Sequence, residues 1–195
     1  VLLDDGNLVV TESPSKHEQR IIAVDNLTGK VTLLSRWDLA RRGSEKGFRA
    51  QTRAQVVKLK ALLMALGGRQ TSFWLPTFID DLTVVANLNS GSLTMDVTHV
   101  GYTRFVASRE PRKTLLVTFN DGTGPLVRTV QSSVEVSTSV ERLTLNTTWP
   151  STKAPGTIAR VSFYEKVRFD TDVFEITHER YGLAQVVAPV RVVLE

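Results

Sequence analysis

"TRAQVVKLKALLMALGG", residues 52–68, decides how this chain is read: its apolar spacing is helical, whereas the rest of the sequence mostly alternates. Val56, Leu59, Leu63 and Leu66 recur at helical intervals with Ala61, Leu62 and Met64 beside them. That predicts one broad buried stripe, with Gln55, Lys58 and Lys60 outside it. The Thr52 hydroxyl can accept from an otherwise unpaired first-turn amide, and Gly67 or Gly68 can take the left-handed position that closes a helix. Arg69 then lies beside the unpaired carbonyls, where positive charge is favoured. A helix over 52–66 is expected.

The next residues, "RQTSFWLPTFIDDLTV" (69–84), carry dense punctuation. Pro76 pushes Leu75 out of the helical region, so this stretch must be extended. On a strand Phe73 and Leu75 face one way and Trp74 the other. Leu59, Leu63, Gly67, Gly68, Phe73, Leu75 and Pro76 are therefore expected to lock helix to sheet. A new strand is expected from "FIDDLTVV", with Asp80 and Asp81 on opposite faces, unable to share a proton or a metal.

Outside this region the chain reads as strands. "RIIAVDNLTGKVTLLS" predicts a hairpin, and further strands are expected at "SLTMDVTHV", "RFVAS", "KTLLVTF", "LVRTVQSSVEVST", "ERLTLNTT", "IARVSFYEKVRFD", "VFEITHE" and "QVVAPVRVVLE". "LNSGS", "NDGTGP", "WPSTKAPG" and "RYG" punctuate them. The expected fold class is mainly β, with one packed α-helix. "NLNSGS" and "NTTWPSTKAPG" suggest module boundaries. Residues 1–90 with 157–195 would form the helix-bearing β domain, and 91–156 a small all-β barrel or sandwich inserted into it.

Composition narrows the chemistry. A chain of 195 residues can bury roughly 70% of its unfolded surface, so it needs no disulfide or metal for stability. It has no cysteine, which excludes thiolate ligands, iron–sulfur clusters and thiol catalysis and fits a reducing compartment. The net charge of +4 is spread along the chain, short of the one-sided basic face of a nucleic-acid groove. No apolar run is long enough to cross a membrane, and the first residues lack the pattern of a signal peptide. The start at Val1 suggests a fragment of a longer polypeptide or a processed product.

Few residues offer catalysis. Asp170 and Asp172 share a face if "RFDTD" is a strand, with Glu175 and Glu179 near; this is a weak cation site or, more simply, a polar turn balanced by Arg168. His17, His99 and His178 lack a second ligand at metal spacing, and "GGRQTS" follows a helix, unlike a phosphate loop. No catalytic, cofactor or metal residue is assigned, and no small-molecule substrate is expected. Trp37, Trp74 and Trp149 are core residues by default, but tryptophan and arginine also favour interfaces. "SRWDLARRGSEKGFRAQTRAQ" places Trp37 and Phe48 among Arg36, Arg41, Arg42, Arg49 and Arg53. That segment reads equally as a solvated loop leading into the helix or as a subunit contact.

"GFRAQTRAQVVKLKALLMALGGRQTSFWLPTFIDDLTV" resembles a family of tail proteins from long-tailed bacteriophages, whose members share an arginine-flanked helix, a Gly-Arg, and a segment like "FWLPT" followed by "DL". "IARVSFYEKVRFDTDVFEITHERYGLAQVVAPVRVV" resembles that family's closing strands. The resemblance spans roughly the whole chain and is strongest at 47–84 and 157–193. It implies a virion structural protein of the tail tip or baseplate, akin to distal-tail and hub proteins. The implied fold is a tail-tube-like β-sandwich with one helix, and the chain would be a C-terminal part with a further module upstream. The implied partners are copies of itself in a ring and other tail proteins, with the excess Arg and Lys facing neighbours. Such a protein would be made in the host bacterial cytoplasm and reside in the virion. A carbohydrate-binding β module using Trp149 or Trp37 as stacking platforms, and a cell-wall or glycan hydrolase using Asp170, Asp172 or Glu175, are the rival expectations.

Overall fold

The computed structural model describes residues 9–18, 21–25, 31–35, 41–180 and 183–193, and side chains for 43–179 and 183–193. In chain order the elements are β1 (Val9–Glu18), β2 (Ile21–Asp25), β3 (Val31–Ser35), β4 (Arg41–Ala50), α1 (Arg53–Leu66), β5 (Phe73–Pro76) and β6 (Thr94–Thr98). After a one-turn helix α2 (Tyr102–Phe105) come β7 (Thr114–Phe119), β8 (Leu126–Glu135), β9 (Val140–Leu145), β10 (Ile158–Phe169), β11 (Ile176–Arg180) and β12 (Leu183–Val192). The protein is mainly β, and among the described residues the strand ladders are antiparallel.

The chain divides into two compact units. One is a continuous insertion, Trp74–Lys166; the other joins the described residues up to Phe73 to those from Val167 on. The insertion is larger than the expected 91–156. The reason is packing: Leu82, Val84 and Leu88 share one buried core with Met95, Val97, Leu143, Trp149, Val161 and Phe163. Leu88 and Lys153 also exchange both backbone hydrogen bonds, at 2.9 and 2.8 Å, so neither expected boundary separates packed layers.

In the helix-bearing unit the strand order is β1-β4-β12; β11 also pairs with β12, as do Val167–Phe169 of β10. The hairpin β2–β3 forms a separate ladder, pairing Ile21 with Ser35 and Asp25 with Val31 as the sequence suggests. Residues 41–50, read from sequence as either a solvated loop or a subunit contact, form strand β4. Lys46, Phe48 and Ala50 are buried while Glu45 and Arg49 are exposed, so the period of two is real but carried partly by charged residues.

Helix α1 packs against β4 and β12. The Thr52 hydroxyl accepts from Gln55 N at 3.3 Å while Gln55 Oε1 accepts from Thr52 N at 3.1 Å, a reciprocal capping box. Val56, Leu59, Leu63 and Leu66 are buried as expected, but Ala61 and Met64 are exposed, so the inward stripe is narrower than predicted. Gly67 closes the helix in the left-handed region at φ 56°. Gly68, at φ 64°, has a different role. A Cβ there would lie 2.5 Å from Asp172 Oδ1 and 2.9 Å from Asp172 Cα.

In the inserted unit, β7, β8, β9 and β6 follow the first part of β10 in the order β10-β7-β8-β9-β6. Residues 78–85, expected to be a strand, instead form with Thr77 an irregular segment that serves both outer edges of this run. Thr77 N donates to Phe163 O and Asp81 N to Val161 O on β10, both at 2.9 Å. Farther along, Val85 N donates to Asp96 O and Thr98 N to Thr83 O on β6, and Val84 bridges Val97. One segment thus hydrogen-bonds to both outer strands of the run.

Leu63→Ala is expected to cost about 2–4 kcal/mol in urea unfolding, because it opens a cavity beneath the helix. Gly68→Ala should cost more than Gly67→Ala: both force an L-residue into left-handed backbone, and only Gly68 also meets neighbouring backbone. Equal losses at the two glycines would contradict this packing.

Candidate functional site

Three of the acids that the sequence offers for chemistry, Asp80, Asp81 and Asp172, accept backbone amides. Asp80 Oδ1 accepts from Val161 N at 3.0 Å and Asp81 Oδ2 from Phe163 N at 2.8 Å. Thr77 Oγ1 donates to the same Asp81 oxygen. The two carboxylates thus stand in for strand carbonyls along β10 rather than facing opposite ways from a strand. Ser162 Oγ donates to Ile79 O and Arg160 Nη1 to Phe78 O, each at 2.7 Å, which ties down the turn between them. Within that turn Phe78 adopts φ 64°, a strained value for a residue with a side chain.

Asp170 and Asp172 belong to the other unit and hold its helix. Asp172 Oδ1 accepts from Arg69 N at 2.9 Å, and the Arg69 guanidinium donates to Asp170 O at 3.0 and 2.8 Å. Arg191 Nη2 lies 2.8 Å from Asp170 Oδ2. The expected balancing charge, Arg168, is exposed on β10; Arg69 and Arg191 do that work. Arg69 therefore reaches past its own helix terminus to the acidic loop. Glu175 is exposed and lines a shallow depression with Thr177, Gln185 and Val187.

The most enclosed carboxylate is one that sequence reasoning passed over. Glu141 is fully buried. Its Oε1 accepts from Val100 N (3.1 Å), Gly101 N (2.7 Å) and Tyr102 N (3.0 Å). Its Oε2 accepts from Thr103 N (2.7 Å) and Thr103 Oγ1 (2.8 Å). Burial pushes this carboxyl's pKa up, but the Thr103, Gly101 and Tyr102 donors outweigh it and hold the group below its ordinary value. The His99 Nδ1 atom is 2.7 Å from Oε1, although its ring geometry makes no good hydrogen bond there. These donors explain why "RFVAS" is not a strand: the carboxylate gathers the preceding amides into the turn that starts α2. A signal existed, since Glu141 shares the inward phase of Leu143 and Leu145 on β9.

Of the tryptophans, Trp149 is buried, donates Nε1–H to Thr94 O at 3.1 Å and lies beneath the Arg128 guanidinium. Trp74 is half-buried and stacks on Tyr164 at 5.4 Å. Trp37 lies outside the described residues. The candidate contact residues also separate. Phe48 is buried and edge-on to Phe169, so it is core rather than contact surface. Arg49 is exposed and 3.3 Å from Glu179, and Arg53 is exposed at the start of α1. Arg41 and Arg42 sit on β4 opposite Glu18 and His17 of β1, and their side chains lie outside the described ones.

Of the predicted lock residues, Phe73 packs against Phe169 at 4.9 Å; Leu75 and Pro76 are buried in the inserted unit. Leu59 and Leu63 face β4 and β12 beneath the helix. Among the described residues no three His, Asp or Glu side chains are grouped to hold a metal, and no helix is long and apolar enough to cross a membrane. No protein-family model matches the chain, and no curated protein matches it.

The Glu141 linkage has a defined sign. A carboxyl whose pKa is lowered by folding contributes stability above its ordinary value of 4.5, and that contribution is lost as pH falls through the lower folded value. Glu141→Gln should therefore lower stability at pH 7 by at least about 2 kcal/mol, since it weakens several charge-assisted bonds at a buried site. The difference from wild type should shrink below pH 4.5 in urea titrations. A difference independent of pH would contradict the assignment.

Proposed function

We propose that this chain is a non-enzymatic structural component of a long-tailed phage tail tip or baseplate, assembling as a ring with further copies and adjoining other tail proteins. The single observation that carries this reading is the use of the chain's suspicious acids: Asp80, Asp81, Asp170 and Asp172 all hold scaffold. The mainly β architecture with one long capped helix agrees with the fold that the "FWLPT" and "RFDTD" resemblances imply. Among the described residues strand β1 is terminal in its sheet, which leaves its outer edge for pairing with a neighbouring copy. The register shift between Glu12 and Ser15, with Pro14 inside it, confines such pairing to short stretches on either side.

The rivals lose part of their stated residues; Trp37 lies outside the described residues and Glu175 stays exposed. A stacking platform needs an exposed indole, and Trp149 is buried. A hydrolase needs an available carboxylate pair, whereas Asp170 and Asp172 are occupied by Arg191 and Arg69.

The direct test is reconstruction of assembled tails, with this chain located by an epitope tag. A ring at the tip is the expected result; absence from the particle would overturn the proposal. Peptidoglycan turnover should be absent in wild type, and turnover abolished by Asp172→Asn would favour the hydrolase.

A further inference from the structure

The connection between β7 and β8, "NDGTGP" (120–125), carries the one Asp–Gly bond among the described residues, Asp121–Gly122. Such a bond can rearrange without any enzyme. The backbone nitrogen of the glycine attacks the aspartate Cγ and forms an N–Cγ bond, while the amide proton and the carboxyl hydroxyl leave together as water. Water then reopens the succinimide ring. Addition at the former main-chain carbonyl leaves the chain running through Cγ, an isoaspartyl link one methylene longer. One water is lost and one is gained, and nothing is oxidised or reduced. Glycine favours the attack because it has no side chain to crowd the nitrogen. Asp121 and Gly122 are both exposed, and nothing lies within 4 Å of where a Gly122 Cβ would stand.

The reacting carboxyl must be neutral, since only then does its oxygen leave as water. Here it is held ionised and in place. Asp121 Oδ2 accepts from Lys153 Nζ at 2.5 Å, and Oδ1 accepts from Thr123 N at 3.0 Å. Lys153 is itself fixed: Nζ also donates to Thr123 Oγ1 at 2.7 Å and lies over the Phe119 ring, and its backbone exchanges two hydrogen bonds with Leu88. The Lys153 ammonium, and after it the Thr123 hydroxyl and amide, keep the Asp121 carboxyl well below the usual carboxylate range. We infer that Asp121–Gly122 is a latent isoaspartyl modification site and that Lys153 is the residue that restrains it. Releasing Lys153 raises the neutral fraction of the carboxyl and frees it to turn onto the Gly122 nitrogen. Once formed, the extra methylene lengthens the β7–β8 connection. This site follows from the turn alone and stands apart from the tail assignment.

The test ages the whole chain for weeks at neutral pH as wild type, Lys153→Met and Lys153→Arg, beside a free peptide containing "NDGTGP". Isoaspartate is read by isoaspartyl methyltransferase labelling and located by peptide mapping. Little is expected in wild type and Lys153→Arg. Lys153→Met should accumulate about tenfold more at Asp121, the change in neutral fraction that one pKa unit brings. Added salt screens the ion pair, so it should speed the wild type and leave Lys153→Met unchanged. Urea midpoints report whether each variant stays folded. If Lys153→Met does not, Thr123→Val, which removes one Lys153 acceptor, should give a smaller rise in a folded chain. Wild type reacting as fast as the free peptide would overturn the inference. So would equal accumulation in wild type and Lys153→Met, a rise that Lys153→Arg shares, or isoaspartate confined to other bonds.

Discussion

A strand run that ends in open edges must have its outer N–H and C=O groups satisfied, and in the inserted unit one short segment meets that need at both ends. Residues 77–85 hydrogen-bond to β10 through Thr77 and Asp81 and to β6 through Thr83 and Val85. The carboxylates of Asp80 and Asp81 then accept the amides of Val161 and Phe163, which the irregular backbone of this segment leaves without a strand carbonyl. The turn at Phe78 carries a positive φ that costs about 1–2 kcal/mol, offset by the Arg160 and Ser162 bonds to the Phe78 and Ile79 carbonyls. Remove those acceptors and β10 has an unsealed edge beside a hydrophobic core.

The same economy of side-chain acceptors recurs elsewhere. Asp172 takes the Arg69 amide just beyond the helix stop, and Gly68 is the residue that lets the two backbones approach. Glu141 gathers successive amides at the start of α2. In each case a carboxylate replaces a missing backbone carbonyl, and the donors compensate for the charge's lost hydration. Acids that look catalytic by composition are here part of the hydrogen-bond framework.

Helix α1 was legible because its signals agree: a capping threonine, an apolar period, and a glycine at the stop. Most strands were legible for the same reason, their alternation being bounded by Gly, Pro and Asn. Strand β4 was not, because Arg, Lys and Glu occupy half of its positions and Lys46 is buried close to Phe48. Nor was α2, whose "YTRF" has strand-like composition and turns helical only because Glu141, some forty residues later, presents an acceptor. The insertion's true bounds were hidden because Gly-rich and Pro-rich turns at 87–92 and 146–156 mark bends inside one core. The acidic pair at 80–81 was visible, but its role depends on the neighbouring β10 amides, which no local pattern reveals.

Amide hydrogen exchange at Val161 and Phe163 tests the edge-sealing account most directly. The account predicts strong protection of both amides in the wild type and a selective loss of protection at Phe163 in Asp81→Ala, with β7–β8 amides far less affected. Fast exchange at Phe163 in the wild type, or unchanged protection in Asp81→Ala, would contradict it.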